Sequence, residues 1–494
     1  MMPGWQKSDS SVVAKKSANK PGQPGAESME RREGTEENTG EPPASRTQSR
    51  EIVSGGLDRV RQAAQGNKKE RFTALLHHVT LELLWQAYHW LKRSAAPGVD
   101  GVRWHDYEEN LEAKLVDLHA RVHRGSYHPL PSRRKYIAKA DGRMRPLGIA
   151  ALEDKIVQRA VVEVLNAIYE ADFVGFSYGF RPGRGPHDAL DALAFGIMRR
   201  PVNWILDADI AAYFDTVSHD WMLRFLEHRI GDRRLLRLIG KWLKAGVMEE
   251  GVVRATATET GTPQGAVVSP VLANVYLHYV FDLWAHRWRQ HPARGAVIFV
   301  RYADDIVAGF EREGEAKRFV AELGQRMGKF ALSLHPDKTR VIEFGRYAAE
   351  RRAKRGLGRP ETFNFLGFTH IAGRTQKGRF LLIRTTRRDR LRAKLKAIKD
   401  ALRQRMHDPI AQQGQWLRQV VRGYFAYHAV PTNIRRLAAF RYFVGRLWLK
   451  TLRRRSQKDR FSWDRLSHLA AEWLPCPRIL HPWPDARFAV THPR

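Results

Sequence analysis

The sequence predicts an α+β fold, with short strands set among many amphipathic helices. Three observations carry this reading. Val297, Ile298, Phe299 and Val300 lead into Arg301-Tyr302-Ala303-Asp304-Asp305, and Ile306, Val307 and Ala308 lead out. β-branched and aromatic residues on both sides read as two short strands, with the acidic pair at the bend of a tight hairpin. Upstream, Ile205-Leu206-Asp207-Ala208-Asp209-Ile210 has the same strand character and runs through Ala211, Ala212, Tyr213, Phe214 and Asp215 into a helix-like segment. Elsewhere, apolar residues recur at three- and four-residue steps, the spacing of helices with one buried face.

The two acidic stretches belong together. An isolated Asp-Asp reads as a surface turn, where Asp is common. Like charges buried side by side are unfavourable unless a cation neutralises them. Carboxylate oxygens suit a hard divalent ion, most simply Mg²⁺. A strand carrying Asp209 beside a hairpin carrying Asp304 and Asp305 could hold two such ions. Ions about 3.5–4 Å apart clamp the attacking and leaving oxygens in phosphoryl transfer.

Composition points to a polyanionic partner. The 494 residues, enough for two or three domains, carry 85 Lys+Arg against 52 Asp+Glu, a formal charge of +33. Binding driven by such an excess rests on counterion release and falls steeply with salt. No apolar stretch is long enough to span a bilayer and no signal-peptide core is present, so no membrane partner and a cytosolic location are expected. One cysteine, Cys476, excludes an internal disulfide framework and a Cys₄ zinc site. The 14 Trp, 14 Tyr and 22 Phe supply core and surfaces on which bases could stack.

In chain order, residues 1 to about 55 are too poor in apolar groups to build a core and predict a disordered tail. From about 57 the pattern is helical. Phe72, Leu75, Leu76, Val79, Leu83, Leu84, Ala87 and Leu91 predict one helix ending near Ser94, ahead of Pro97-Gly98. Leu111, Leu115, Leu118 and Val122 mark another. Asp141-Gly142 signals a hairpin within 135–149. Its arms carry cations able to grip a triphosphate; the alternative is a basic surface hairpin. A two-residue loop would put Lys139 and Arg145 on opposite faces, a three-residue loop on one. A helix from Asp154 to Ala171 precedes Ser177-Tyr178-Gly179-Phe180-Arg181-Pro182-Gly183-Arg184-Gly185, a loop suited to approach a nucleic-acid backbone or a plain structural loop.

Further helices are predicted over 187–197, 221–230 and 235–245. Gly261-Thr262-Pro263-Gln264-Gly265 then opens a long helix through Leu283, with Gln264 in the loop before it, free to hydrogen-bond a substrate. A helix over 319–332, a strand over 341–344 and a short strand over 363–368 come next. Leu391, Leu395, Ile398 and Leu402 mark a basic amphipathic helix. Two more helices lie around Trp416–Phe425 and from about Asn433 to Arg455. Pro475, Pro477, Pro482 and Pro484 predict an extended tail.

The ordered set formed by the Asp-Gly basic hairpin, the Asp209 strand, Pro263-Gln264-Gly265, Tyr302-Ala303-Asp304-Asp305 and Phe365-Leu366-Gly367 resembles the reverse transcriptases. Arg145-Pro146-Leu147-Gly148-Ile149, Gly179-Phe180-Arg181-Pro182-Gly183 and Gly423-Tyr424-Phe425-Ala426-Tyr427-His428 narrow the resemblance to the group II intron-encoded reverse transcriptase/maturases. The resemblance covers roughly 57–490. It implies a right-hand polymerase: a tail over 1–55, a helical extension of the fingers over 56–125, fingers and palm over 126–372, a helical RNA-binding thumb over 373–474, and a Pro-rich tail over 475–494.

The resemblance also implies roles. Asp209, Asp304 and Asp305 match the palm carboxylates that hold two Mg²⁺, or Mn²⁺, which lower the pKa of the primer 3′-hydroxyl and stabilise the pyrophosphate leaving group. Lys139, Arg145, Gln264 and Lys338 match contacts to the dNTP, and Phe214 matches the residue whose bulk excludes a ribose 2′-hydroxyl. Leu366 and Gly367 match the primer grip. Asp207 is read as structural. The implied partners are dNTPs, an RNA template with a DNA primer, group II intron RNA and target DNA.

The chain has Ala211-Ala212 where the family usually has Lys-Gly, and Ala266 where it has Gly; neither removes a ligand. One cysteine and a short tail leave no zinc-supported endonuclease, which resembles the endonuclease-lacking group. The competing readings are an RNA-binding splicing cofactor, or a reverse transcriptase of another lineage such as a retron, diversity-generating or defence-associated enzyme.

Overall fold

The computed structural model describes residues 45–138, 144–249, 252–254, 261, 265–455 and 461–491. The N-terminal part is helical: α1 (Ser45–Gly66), a 3₁₀ turn (Leu76–His78), α2 (Leu81–Trp90), α3 (Trp104–Glu108) and α4 (Leu111–Arg124). Helix α1 reaches back to Ser45, so the predicted tail over 1–55 is corrected there; residues 1–44 lie outside the described residues. No proline interrupts the chain between Ala44 and Ala96, and Leu57, Val60 and Ala64 bury one face of α1.

The single helix expected through Phe72–Leu91 is also corrected. Phe72 bridges Ile230, and the chain turns before α2 begins behind its Thr80 cap. The cause is Asp232. Its carboxylate accepts the N–H groups of Leu75 and Leu76, both at 2.9 Å, and also caps a later helix at Arg234 and Leu235.

Next come β1 (Ser132–Ala138), β2 (Met144–Ile149), α5 (Leu152–Tyr169), α6 (Pro186–Arg199), β3 (Trp204–Asp209), α7 (Tyr213–Thr216), α8 (His219–Glu227), α9 (Arg233–Lys244), β4 (Val247–Glu249) and β5 (Val252–Arg254). Strands run β2-β1-β4-β5 in one sheet. The β1–β2 ladder pairs Ala138 with Met144 and Ile137 with Arg145, a register that excludes the two-residue Asp141-Gly142 loop and matches the odd-numbered alternative.

The chain continues through α10 (Ser269–Leu277), a π-helical segment (His278–Asp282), α11 (Leu283–Gln290), β6 (Val297–Tyr302), β7 (Asp305–Phe310), α12 (Glu313–Gly328), β8 (Arg340–Glu343) and α13 (Ala348–Lys354). Sheet β6-β7-β3-β8 is antiparallel throughout. Both of its faces are buried, and the period of two sorts them. Leu206, Ala208, Phe299, Ala308 and Phe310 join the large core with α5, α10 and α12. Ile205, Val300, Val307 and Ile342 join a second core with Ala189, Leu190 and Leu193 of α6.

The last part holds β9 (Phe363–Phe365), β10 (Phe368–Arg374), β11 (Phe380–Thr386), α14 (Arg388–Gln404), α15 (Ile410–His428), α16 (Ile434–Arg453), α17 (Trp463–Trp473) and α18 (Pro484–Thr491). The strand expected over 363–368 is a hairpin arm, turn and return. Strands extend to Thr386, so the expected boundary at 373 falls inside a hairpin and the helical bundle starts at Arg388. Helices α14–α17 share their own core around Leu417, Phe440 and Trp448. The extended tail is corrected as well. Pro484 sits at the start of α18, where its missing N–H costs nothing, and Asp485 and Arg487 pair with Arg199 and Asp191 of α6 at 2.9 Å.

Asp232 tests how the N-terminal helices are tied down. Burial alone would raise its pKa, but the four backbone N–H groups hold it below 3.8. A depressed carboxyl contributes stability above its unfolded pKa and loses it as pH falls through the folded value. Asp232→Ala leaves buried donors unpaired and should cost about 2–4 kcal/mol. Thermal unfolding should show a lower midpoint at pH 7 and a gap between variant and wild type that shrinks below about pH 4.

Candidate active site

Strand register brings the acidic stretches together. Asp209, last residue of β3, lies directly opposite Asp305, first residue of β7, which in turn pairs with Tyr302 of β6. Alternation places Asp207, Asp209 and Asp305 on one face of the sheet. Ala303 and Asp304 form the two-residue bend between β6 and β7. Packing around the carboxyl, then the charges of Asp304, Asp209 and Asp207, push Asp305 up to about 7, against the pull of Lys338. The repulsion from Asp304, Asp209 and Asp207 is the part of that shift that a bound cation would reverse. Asp207 is pushed up to about 6, mainly by burial, and lies 3.7 Å from Arg340.

Among the described residues, no three His, Cys, Asp or Glu side chains form a group ready to hold a metal ion. The ammonium of Lys338 sits on Asp209 Oδ2. Three carboxylates with one lysine, on Asp209, remain a net-negative, oxygen-only donor set. That chemistry fits a hard divalent cation competing with Lys338 for Asp209.

The bend is held from behind. Ala303 adopts a left-handed φ of 54°, unusual for a residue with a Cβ. The chain at Ser177 bridges β6 at Arg301, with Arg301 N–H donating to Phe176 and Tyr178 N–H donating to Arg301. A Cβ on Gly179 would stand 2.4 Å from the Ala303 nitrogen, so only glycine lets this loop pass beneath the bend. Arg301 is fully buried, as is its partner Asp282 in the π-helical segment. Its guanidinium donates to Asp282 Oδ1 at 2.7 Å and Oδ2 at 2.5 Å, to Asn274 Oδ1 and Ala303 O at 3.0 Å, and to Ser177 Oγ at 2.7 Å. All five N–H donors of the guanidinium are thereby used. Asn274 also donates to Gly179 O at 2.7 Å.

The Ser177–Gly185 loop therefore has a structural role, and its arginines are tied into it. Arg181 bonds Glu170 and the carbonyls of Val174 and Ser177, and Arg184 bonds the carbonyls of Gly175 and Ser177. Both arginines are consumed in holding the loop.

The remaining predicted residues lie on other elements. Phe214 is half-buried in the one-turn α7, its ring 5.3 Å from that of Tyr213, whose hydroxyl donates to Ala273 O at 2.8 Å. Leu366 and Gly367, at φ 45° and 79°, form the two-residue turn between β9 and β10, the primed geometry that favours glycine. Tyr427 of α15 donates to Leu366 O at 2.8 Å, and Arg387 N–H to Gly367 O at 3.1 Å. Lys139 and Gln264 lie outside the described residues, and only the backbone of Arg145 is placed, opposite Ile137. The Gln264 loop is anchored on both sides: Gly261 N–H donates to Val217 O at 2.7 Å, and Val267 N–H donates to Gln158 Oε1 at 2.9 Å.

Arg301, Asp282, Asn274 and Ser177 were not singled out by sequence reasoning. The available signal was a charge inside an apolar strand, which demands a buried partner. Arg301→Met should destabilise the fold by about 3–5 kcal/mol, because it strands Asp282. Combining it with Asp282→Leu should recover part of that loss, as a double-mutant cycle by denaturant unfolding would read.

Residues 137–370 match the family described as reverse transcriptase (RNA-dependent DNA polymerase). Protein YkfC of Escherichia coli K12 is 34% identical over 333 residues, covering 61% of this chain and 82% of that protein. The group II intron-encoded protein LtrA of Lactococcus lactis subsp. cremoris is 32% identical over 306 residues, covering 59% of this chain and half of that protein's length, 50%. A 91 kDa protein in the cob intron of Schizosaccharomyces pombe is 31% identical over 271 residues, covering 53% and 33%. No helix among the described residues is long and apolar enough to cross a membrane. With the acidic hairpin and its partner strand inside the matched segment, the chain belongs to the reverse transcriptase family.

Proposed function

We propose that Asp209, Asp304 and Asp305 are the catalytic carboxylates of DNA synthesis from dNTPs on an RNA template, and that the protein also acts as a maturase. The observation that supports this most is the register that sets Asp209 opposite Asp305 beside the Ala303-Asp304 bend. When divalent ions such as Mg²⁺ are bound there, they supply the charge that activates the primer 3′-hydroxyl and stabilises departing pyrophosphate. The chain's own residues do the positioning. Tyr302 and the Leu366-Gly367 turn offer a floor and a clamp for the primer end. Lys338, already beside Asp209, would meet the triphosphate and donate a proton to the leaving group. Phe214 narrows the space for the sugar. Lys139, Arg145 and Gln264 complete the dNTP contacts.

The bundle of α14 to α17 is the proposed intron-RNA surface. Helix α14 buries Leu391, Ile398 and Leu402, and its sequence carries Arg or Lys at 388, 390, 392, 394, 396, 399 and 403. Counterion release from such a face favours RNA. Intron RNA, target DNA and a primer from outside the protein would be its partners in splicing and retrohoming. A cofactor that binds RNA with an idle polymerase is the second reading, motivated by the same helix.

Asp304→Ala should reduce primer extension on an RNA template by several orders of magnitude while RNA affinity stays within about two-fold. Retained synthesis removes the carboxylate assignment, and unimpaired splicing of the host intron by the same variant separates the two activities. Phe214→Val should raise ribonucleotide incorporation relative to deoxynucleotide by about ten-fold or more in kcat/KM. An unchanged sugar ratio assigns Phe214 to packing alone.

A further inference from the structure

Helix α16 has no acidic residue in its 20 positions. Leu437, Phe440, Val444, Trp448 and Leu452 are buried, the inward stripe that helical periodicity requires. The outward side is not simply polar. Tyr442 and Phe443 are 50% and 40% exposed, and Trp463, which opens α17, is 44% exposed. The three aromatics adjoin. Ring centroids are 5.6 Å apart for Tyr442 and Phe443 and 5.8 Å for Tyr442 and Trp463. The Arg446 guanidinium lies 5.8 Å from the Tyr442 ring centre. Arg435 and Arg436 precede the aromatics by two helical turns, and Arg446, Lys450 and Arg453 come after them; all are exposed.

Exposed aromatics in mutual contact are costly in water and mark a binding surface. The charge around them selects the occupant. An apolar protein patch would cover the rings and leave the cations of α16 without counter-charge. A strand of nucleic acid brings both complements at once, flat bases for the rings and phosphates for the cations. Stacking needs unpaired bases, since a duplex hides its base faces. An arginine beside a tyrosine ring adds attraction for the same π-surface.

We propose that Tyr442, Phe443 and Trp463 form a stacking platform for unpaired bases of RNA, with Arg446 and Lys450 on the adjoining phosphates. This rests on the reading that the helical bundle binds RNA. It adds to that reading a chemical class of target within the RNA, single-stranded loops or bulges rather than helices.

The test uses the full chain and two labelled RNAs, a hairpin with a long unpaired loop and a blunt duplex of the same stem. Tyr442→Ala with Phe443→Ala should weaken loop binding about ten-fold and leave duplex binding nearly unchanged. Tyr442→Phe should keep wild-type affinity. The salt slope should be unaltered in the aromatic variants and fall by about one in Arg446→Ala. Thermal melts of each variant confirm folding. Equal losses on both RNAs, or no loss on either, overturn the platform. So does a shift from dimer to monomer, or loss of binding to phosphatidylglycerol vesicles, with loop affinity intact. Lys394→Ala with Lys396→Ala on α14 separates the two levels. If that variant loses RNA affinity and the aromatic variants do not, only the platform fails. If neither alters it, the RNA-binding bundle itself is refuted.

Discussion

The buried pair of Arg301 and Asp282 is the constraint on which the acidic hairpin depends. A guanidinium placed at the heart of a sheet is costly to desolvate, and the cost is offset only when every donor finds an acceptor in good geometry. Here the acceptors come from four separate segments: the π-helical turn, α10, the loop at Ser177 and the bend itself. The interaction is thus less a source of stability than a specification. It lets one arrangement of these segments satisfy all partners, and in that arrangement Ala303 is driven into a left-handed φ that aims Asp304 and Asp305 outward. The π-helical segment belongs to the same device. Its extra residue per turn rotates Asp282 to face β6, an irregularity often found where a site must be shaped.

A second set of buried charges ties the β6-β7-β3-β8 sheet to the C-terminal part of the chain. Arg384 of β11 donates to Asp191 of α6 at 2.9 Å, with both side chains almost fully buried, and Arg487 of α18 reaches the same carboxylate. Helix α6 lines the second core against β6, β7 and β8. The Leu366-Gly367 turn is therefore located by packing from the sheet side and by Tyr427 and Arg387 from the bundle side. Position in this region is set by charge pairs and hydrogen bonds at the joints, while apolar area supplies the bulk of each core.

Much of this was legible in the sequence where one local rule dominates. The hairpin at Ala303-Asp304 was readable because alternation and a two-residue bend agree, and the α5 and α14 faces were readable because their periodicity is long; the single helix expected through Leu283 is instead the short, nearly all-buried α10 followed by a π-helical segment. The failures have physical causes. Phe72 to Val79 looks helical by spacing, but Asp232, more than 150 positions away, supplies acceptors that a turn can use and a helix interior cannot. The α18 helix was hidden because Pro484 marks an end in most contexts and a beginning in this one. Arg181 and Arg184 looked available for phosphate because a loop's own carbonyls leave no trace in composition. For the candidate site, the acidic residues stood out by pattern, whereas the residues that hold the bend did not. Arg301, Asp282 and Asn274 matter through contacts between segments, and single-sequence spacing does not encode those.

The electrostatic contrast within the molecule sharpens the functional reading. Away from the mouth, three buried arginines each lie against a buried carboxylate: Arg301 with Asp282, Arg229 with Asp172, Arg384 with Asp191. At the mouth, Asp207, Asp209, Asp304 and Asp305 meet Arg340 and Lys338, both of them partly exposed and on flexible side chains. A protein with 33 formal positive charges in excess could have closed that set with another arginine at little cost in sequence. It has instead kept local negative charge beside a bend whose geometry is enforced from beneath at the expense of a left-handed alanine. Net negative charge on a rigid support is the arrangement that favours an incoming cation over reorganisation of the protein, and preorganised charge is what accelerates phosphoryl transfer. The rigidity of Arg301 and the imbalance at Asp305 are accordingly two halves of one design. The first fixes where the carboxylates point, and the second is the charge that the proposed metal ions would neutralise.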